Sequence, residues 1–204
     1  MKIGILLISD GYAGAENAVK HLMEEFSRLN NVSLFTNEEI KKYFFNKKNI
    51  EIYSIGYFFN KPFVIKLLLL TKLRRKLRRN LKNSKIDVLI IFLENSLIFN
   101  YRNNSRGIPF IVTLRGSEIV EYFNMESKSL IRKVNRICLD YSFKKSSKII
   151  SVSEKQIENL REKYKKKTVV IPNGVDSEIF KPLKDIEQRK NVVLFTGRFI
   201  DIKG

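Results

Sequence analysis

The amino-acid sequence predicts an α/β protein built on a doubly wound parallel β-sheet. Short apolar runs alternate along the chain with segments in which apolar residues recur at helical spacing, which is typical of such sheets. The first run, residues 3–8, is nearly continuous, as expected for a strand that is buried on both faces. With 204 residues, of which 44% are hydrophobic, the chain is long enough for one complete core and the start of a second.

The first strand is followed by a glycine-containing turn and then by a helix. Gly11 and Gly14 stand in the turn, and after them apolar residues recur three and four positions apart as far as Leu29. Glycines here let a ligand approach the free N–H groups of the helix, although a plain tight turn is the alternative. The pattern is not G-x-G-x-x-G, which argues against a nicotinamide dinucleotide.

The alternation continues to the end of the chain. Residues 32–36, 87–93, 108–114, 148–152, 168–171 and 192–196 are predicted strands. Helices are predicted at residues 130–143 and 154–165, the second opened by a capping box of Ser153 and Gln156. Because residues 175–189 are polar and lack a period, we predict a first domain over 1–175, a linker over 176–190, and the start of a truncated second domain over 191–204.

The composition indicates an anionic partner. Lys and Arg number 39 against 21 Asp and Glu, a formal net charge of +18, which suits nucleic acid, an acidic membrane surface or phosphorylated substrates. Cys138 is the only cysteine, so an internal disulfide is excluded and a reducing compartment is favoured. The longest apolar run, residues 62–70, is too short to cross a bilayer. We therefore expect a cytoplasmic protein, peripheral on the cytosolic face of the membrane.

A cation follows the strand predicted at residues 108–114. Residues 113–118 have the sequence Thr-Leu-Arg-Gly-Ser-Glu, and ligands of open α/β sheets bind outside the carboxyl ends of strands. Arg115 is therefore placed to bind a phosphate in a bidentate manner. A surface ion pair between Arg115 and Glu118 is the alternative.

Two more motifs follow later strands. Residues 171–176, Ile-Pro-Asn-Gly-Val-Asp, form a predicted turn in which Asn173 and the glycine after it permit positive φ. Residues 197–204 begin with glycine and contain the cations Arg198 and Lys203. Without a wider context, these two cations would be interpreted as solvated surface charge.

In this order, the motifs resemble the large retaining glycosyltransferase family 4, whose members have the GT-B fold. The resemblance spans residues 3–204 and is carried by Gly14-Ala15-Glu16, Arg115 to Glu118, Ser153-Glu154, residues 172–176, Gly197-Arg198 and Lys203-Gly204. It implies a Rossmann-like doubly wound sheet, which is the acceptor-binding N-terminal domain of a GT-B enzyme. At two positions the chain departs from the family, which often has histidine where Arg115 stands and aspartate where Glu118 stands.

The resemblance implies sugar transfer, with retention, from a nucleotide-sugar donor to a cell-envelope polysaccharide or lipid-linked acceptor. The residues implied are Arg115 and Glu118 as catalytic residues, and Gly14, Asn173, Arg198 and Lys203 as donor-binding residues. No cofactor or metal ion is expected, since the family generally needs none and no His/Cys/Asp cluster has ligand spacing. We expect the chain alone to be inactive, because most donor contacts belong to the truncated domain.

A strongly basic segment spans residues 52–86, which contain no Asp or Glu. Leucines at positions 70, 73, 77 and 81 share one stripe of a predicted helix, surrounded by the cations Lys72, Arg74, Arg75, Arg78 and Arg79. We interpret this pattern as an interfacial helix on an anionic membrane surface. The alternatives are a solvated helix whose leucines face the core, and a nucleic-acid-binding face.

Two other hypotheses for the whole chain stay open. One is a non-enzymatic basic module that binds nucleic acid or membranes. The other is one half of a split glycosyltransferase, completed by a donor-binding domain in cis or in trans. The basic segment would serve any of these functions, whereas the motifs serve only a glycosyltransferase, so nucleic acid is the less favoured partner.

Overall fold

The computed structural model describes residues 1–9, 11, 14–44, 48–56, 63–92, 107–114, 130–158 and 160–181, with the backbone alone for 63–68 and 130–135. The chain divides into two compact units, Met1–Asn173 and Gly174–Gly204. Within the described residues, every helix and strand belongs to the first unit. The predicted strand at residues 192–196 and most of the predicted linker lie outside the described residues.

One sheet of seven parallel strands forms the centre of the first unit, in the order β3–β2–β1–β4–β5–β6–β7. The strands are β1 Lys2–Leu6, β2 Asn31–Thr36, β3 Ile50–Ser54, β4 Val88–Phe92, β5 Phe110–Leu114, β6 Lys148–Ser151 and β7 Thr168–Val170. In the middle of the sheet, Ile5 pairs in register with Leu34 on one side and with Ile90 on the other. The predicted doubly wound α/β fold is therefore confirmed.

Helices cover both faces of this sheet. They are α1 Gly14–Ser27, α2 Glu38–Lys41, α3 Phe63–Ser84, α4 Leu130–Lys145, α5 Glu154–Glu158 and α6 Glu162–Lys165. Val19 and Met23 of α1 and Ile40 of α2 belong to one buried cluster, whereas Leu77 of α3 and Phe143 of α4 belong to another. No helix within the described ranges is long and apolar enough to cross a lipid bilayer.

The structure differs from the sequence prediction at β3, which was not predicted. In β3, Ile50 and Ile52 alternate with Glu51 and Tyr53, as expected of a strand at the edge of the described sheet, where β2 is its neighbour. Such a short alternating segment gives a weaker signal than the continuous apolar run of β1.

The helix predicted over residues 154–165 is also different, because two short helices stand in its place. Arg161 lies between them in an extended conformation, with φ −63° and ψ 143°, and it interrupts the helical path. The break allows Leu160 and Tyr164 to be buried against the sheet together.

The side chain of Lys167 caps the carboxyl-terminal end of α4. Lys167 Nζ donates hydrogen bonds to Ser146 O at 2.8 Å and to Lys144 O at 3.3 Å. These carbonyls are among the groups that a helix end leaves without partners, and the helix dipole favours a cation there. Partial burial lowers the pKa of Lys167.

An ion pair joins the first and third strands of the chain. Lys2 Nζ lies 2.9 Å from Glu51 Oε2, and the Tyr53 hydroxyl donates to the same oxygen at 2.8 Å. The hydrogen bond from Lys2, followed by that from Tyr53, holds the pKa of Glu51 below its ordinary value of 4.5. Burial and the bond to Glu51 raise the pKa of Tyr53 to about 12.

We expect Lys2→Gln to raise the pKa of Glu51 and to lower the free energy of unfolding by less than about 1 kcal/mol, since Glu51 is half exposed and screened. A carboxyl whose pKa is lowered in the folded state stabilises the protein above its unfolded pKa, and this contribution disappears as the pH falls. The destabilisation should therefore be present at neutral pH and absent in acid below the folded pKa of Glu51.

An NMR titration of Glu51 measures the change in its pKa, and urea unfolding at neutral and at acid pH measures the change in the free energy of unfolding. An unchanged Glu51 titration would contradict the assignment.

Candidate functional site

The carboxyl ends of all seven strands meet at one edge of the sheet, because every strand pair is parallel. The strand order reverses at β1, whose two neighbours are β2 on one side and β4 on the other. In open α/β sheets, ligands bind at such a switch point, outside the carboxyl ends of the strands. The candidate site is therefore the region around the ends of β1, β4 and β5.

A buried asparagine fixes the segment that leaves β1. Asn37 Nδ2 donates to Ser9 O at 2.9 Å, and Ser9 N donates to Asn37 Oδ1 at 3.3 Å. The Ser9 hydroxyl donates to Gly11 O at 2.9 Å. Because Asn37 is completely buried at the end of β2, it ties the β1 loop to the neighbouring strand. Asn37 is not among the residues predicted from the sequence, because its only signal is an amide residue directly after an apolar strand.

The first helix begins at the same edge of the sheet. α1 starts at Gly14, which is exposed, and a Cβ built there would meet no atom within 4 Å. The N–H groups in the first turn of a helix have no partner within the helix and attract negative charge. Among the described residues, no atom therefore crowds the Cβ position of Gly14. The donor-binding role of Gly14 stays a prediction.

A buried hydroxyl lies at the end of β5. Thr113 is 5% exposed, it pairs in register with Phe92 of β4, and its Oγ1 has no hydrogen-bond partner among the described residues. Buried polar groups are nearly always paired, so this hydroxyl is an exception at the edge where a ligand would bind. The predicted catalytic residues Arg115 and Glu118 follow directly but lie outside the described residues.

After β6, the side chain of Gln156, which the sequence predicts to be part of a capping box, bonds to residues that precede Ser153. Gln156 Oε1 accepts from Val152 N at 3.3 Å and lies 2.8 Å from the hydroxyl of the buried Ser151. A capping box would instead direct the Gln156 side chain to the N–H of Ser153. The backbone N–H that Gln156 binds is therefore that of Val152, one residue before the predicted Ser153 and directly after β6.

The segment after β7 is exposed. Ile171 N donates to Ser151 O at 2.8 Å, which continues the pairing of β7 with β6, and Asn173 follows as an exposed residue at the end of the first unit. In the second unit, Asp176 Oδ1 accepts from the backbone N–H groups of Glu178 at 2.9 Å and Ile179 at 3.3 Å. The predicted donor-binding residues Arg198 and Lys203 lie outside the described residues.

On α3, the leucine stripe faces the protein core. Leu70, Leu73, Leu77 and Leu81 are between 2% and 8% exposed, and three of them belong to the cluster that joins α3 to the sheet. The part of the interfacial-helix interpretation in which these leucines enter a membrane is therefore wrong. The leucines pack in the core, as the alternative interpretation expects, and the membrane-binding role of the cations stays a prediction.

The predicted membrane-binding cations differ in their surroundings. Lys72, Arg75, Arg78 and Arg79 are exposed, whereas Arg74 is half-buried between α3 and α4. Burial lowers the pKa of the Arg74 guanidinium and raises the pKa of the nearby Cys138 thiol. Arg74 therefore belongs to the packing of the two helices, and the other four cations belong to the surface.

Comparison with known proteins agrees with this fold. Residues 12–179 match the model of Glycosyltransferase Family 4, which is more than half of the chain. The chain belongs to this family. No curated protein matches it at a significant level by sequence alone.

Solved structures of GT-B glycosyltransferases have the same architecture. Sucrose-phosphate synthase from Thermosynechococcus elongatus superposes with a TM-score of 0.67 at 15% identity, over 89% of this chain and 50% of that one. The Anabaena protein HepE in complex with UDP-glucose gives 0.60 at 16% identity, over 89% and 46%. The lipopolysaccharide outer core galactosyltransferase WaaB in its apo form gives 0.56 at 18%, over 86% and 46%.

These identities are low and bear on the fold alone. They agree with the Rossmann-like GT-B half predicted from the sequence. The family 4 chain described here spans about half the length of each of these structures.

Proposed function

We propose that this chain is the acceptor-binding half of a retaining glycosyltransferase that transfers a sugar from a nucleotide-sugar donor to an acceptor hydroxyl. The observation that carries the proposal is the match of residues 12–179 to Glycosyltransferase Family 4. Its physical support is the start of α1 at Gly14, which lies at the carboxyl edge of the sheet beside the switch point at β1.

The donor is a nucleotide diphosphate sugar, and UDP-glucose is the first candidate because it is bound in the HepE structure. When the sugar leaves, negative charge grows on the diphosphate, and cations and N–H groups aimed at it lower the barrier. In this proposal Gly14 and Asn173 of the first domain, and Arg198 and Lys203 of the start of the donor-binding half, serve donor binding. No metal ion is required, since cations of the protein meet this charge.

The residues Arg115 and Glu118 would act on the acceptor side. They follow Thr113, whose buried hydroxyl marks the end of β5, and they stand where the family often has histidine and aspartate. Arg115 carries a permanent charge, so its role is to hold an anionic group rather than to accept a proton. Glu118 supplies the carboxylate that aspartate often supplies at this position in the family.

The acceptor is a cell-envelope polysaccharide or a lipid-linked saccharide at the cytosolic face of the membrane. This follows from the basic surface of α3, which belongs to the same unit as the proposed acceptor site. A second half must supply most donor contacts, in cis or in trans, because the related structures are about twice as long. If the second half is a separate chain, the enzyme is a split glycosyltransferase, which is the alternative version of this proposal.

The test is acceptor-dependent release of UDP by the chain together with its donor-binding half. UDP-glucose and UDP-galactose are offered as donors with a lipid-linked saccharide extract, and the anomeric configuration of the product is read by NMR. Retention of configuration is expected. Release of no nucleotide from any donor tried would contradict the proposal, and an inverted product would contradict its mechanism.

In that completed enzyme, Arg115→Ala should lower kcat/KM by about tenfold or more, since a hydrogen bond to a charged group contributes about 1.5–3 kcal/mol. Arg28→Ala is the matched control, because Arg28 is exposed beyond the other end of α1 and its ion-pair partner among the described residues is Glu25. Equal kcat/KM for the two variants would remove Arg115 from the site.

A further inference from the structure

Three buried hydroxyl oxygens lie in one row across the carboxyl end of the sheet. Thr36 of β2 pairs in register with Ser54 of β3, and Thr113 of β5 pairs in register with Phe92 of β4. Leu7, directly after β1, stands between these two pairs. Among the described residues, the side-chain oxygens of Thr36, Ser54 and Thr113 have no hydrogen-bond partner. Hydroxyl groups without partners are therefore concentrated in this row.

The row lies on the face of the sheet that α1 and α2 cover. Side chains alternate between the two faces along a strand. Leu34, two residues before Thr36, belongs to the buried cluster of that face, and Ile52, two residues before Ser54, packs against the same cluster. Thr36 is completely buried, and the Oγ of Ser54 is buried although the residue as a whole is only half-buried. The two hydroxyls are thus neighbours in the layer between the sheet and these helices.

The spacing of Thr36 and Ser54 suits one oxygen atom between them. Neighbouring strands are about 4.8 Å apart, and residues in register place their side chains on the same face. A hydrogen bond between two hydroxyl groups joins oxygens about 2.7–2.8 Å apart. One oxygen midway could therefore accept from one hydroxyl and donate to the other. Because buried polar groups are nearly always paired, such an oxygen would satisfy both residues at once.

The charge around the row favours an uncharged oxygen. The side chains of the row itself are hydroxyl or apolar groups. Among the described residues, the one buried charged side chain is that of Glu16, which lies on the same side of α1 as the buried Val19 and Met23. Burying an anion without a cation costs far more than burying a neutral group, and an acid on this face would repel it. A neutral hydroxyl is therefore favoured over a phosphate or carboxylate oxygen.

We propose that Thr36 Oγ1 and Ser54 Oγ together bind one uncharged hydroxyl group of the acceptor saccharide, as a subsite at the ends of β2 and β3. The identity of the ligand rests on the proposed function. An ordered water has the same chemistry, so the saccharide hydroxyl competes with water for this position. Two buried hydroxyls discriminate strongly, because an analogue that lacks the bound group leaves both of them unpaired.

The position of this subsite indicates the size of the acceptor. Arg115 and Glu118 follow β5, on the other side of β1 from Thr36. Three strand spacings separate β2 from β5, a distance of about 14 Å. This is further than one sugar ring reaches, so an acceptor that uses both places is an oligosaccharide.

Methyl-detected NMR of the whole chain tests the subsite without donor or turnover. The probes are methyl glucoside, methyl maltoside and, as an anion control, inorganic phosphate. We expect a nuclear Overhauser effect between water and the γ-methyl of Thr36, and a saturable shift of that methyl with neutral saccharide that Ser54→Ala abolishes. A water signal that neither saccharide displaces would overturn the saccharide subsite and assign the oxygen to ordered water. Neither signal, or an equal shift with phosphate, would overturn the bridging oxygen itself.

Urea unfolding with a matched threonine gives a second measurement. Thr168 on β7 is the control, because its hydroxyl donates to Tyr164 O at 2.8 Å. Thr168→Val should lower the urea midpoint, since it removes a hydrogen bond that the folded chain makes. Thr36→Val should lower the midpoint as well if an oxygen bridges the pair, and a raised midpoint without any saccharide effect would contradict the proposal. Loss of sugar transfer with saccharide binding intact would count against the proposed function and not against this subsite.

Discussion

Replacing Leu77 with alanine is expected to lower the free energy of unfolding by about 2–5 kcal/mol in the absence of lipid. Leu77 is 2% exposed in the middle of α3, and it belongs to the buried cluster that includes Leu6 of β1 and Phe35 of β2. Removing its branched end leaves a cavity that the surrounding side chains fill only in part. Because domains are stable by only about 5–15 kcal/mol, this is a large share of the total.

Urea unfolding followed by circular dichroism measures this effect. Arg78→Ala is the control on the same helix, because Arg78 is exposed one residue further on, and its change should stay within about 0.5 kcal/mol. If Leu77 instead met lipid, its truncation would leave the free protein unchanged and weaken vesicle binding. That result would contradict the position of α3 in the structure.

This helix marks the limit of what the sequence could predict. A leucine every three or four residues opposite cations is expected both of a helix on a sheet and of a helix on a membrane. The two kinds of helix differ in what covers the leucines. In this protein the leucines share a buried cluster with residues of β1, β2 and β4, which belong to other segments of the sequence. Only the tertiary structure provides this information.

The strands could be predicted well because a parallel sheet leaves a strong local signal. β1 was predicted at residues 3–8 and occurs at Lys2–Leu6, and β5 was predicted at 108–114 and occurs at Phe110–Leu114. Both are buried on both faces, so nearly every position is apolar. β3 lies at the edge and includes Glu51, so its composition resembles that of a loop.

The candidate site was only partly accessible from sequence for a similar reason. The carboxyl edge and the start of α1 follow from the order of strands and helices, which the alternation of patterns provides. The contact between Asn37 and Ser9 joins residues 28 positions apart, and no local pattern predicts it. The roles of Arg115, Glu118, Arg198 and Lys203 rest on the family motifs and stay predictions.

Gly56→Ala should destabilise the protein by about 2–6 kcal/mol, because two separate costs add. Gly56 follows β3 with φ +114°, a conformation that costs a residue with a side chain about 1–3 kcal/mol. A Cβ there would also lie 2.7 Å from Leu73 Cδ2. Since Leu73 is itself buried in α3, it cannot turn away freely, and overpacking adds about 1–3 kcal/mol.

The control for Gly56 is Gly107→Asn. Gly107 has φ +63°, which asparagine adopts more readily than most residues, and a Cβ there would meet no atom within 4 Å. It should lose less than about 1 kcal/mol in the same urea unfolding experiment. Leu73→Ala combined with Gly56→Ala separates the two costs, because the smaller side chain removes the clash and leaves the backbone strain. If the alanine at position 56 were as destabilising on that background as on the wild type, the close approach of β3 and α3 would contribute nothing.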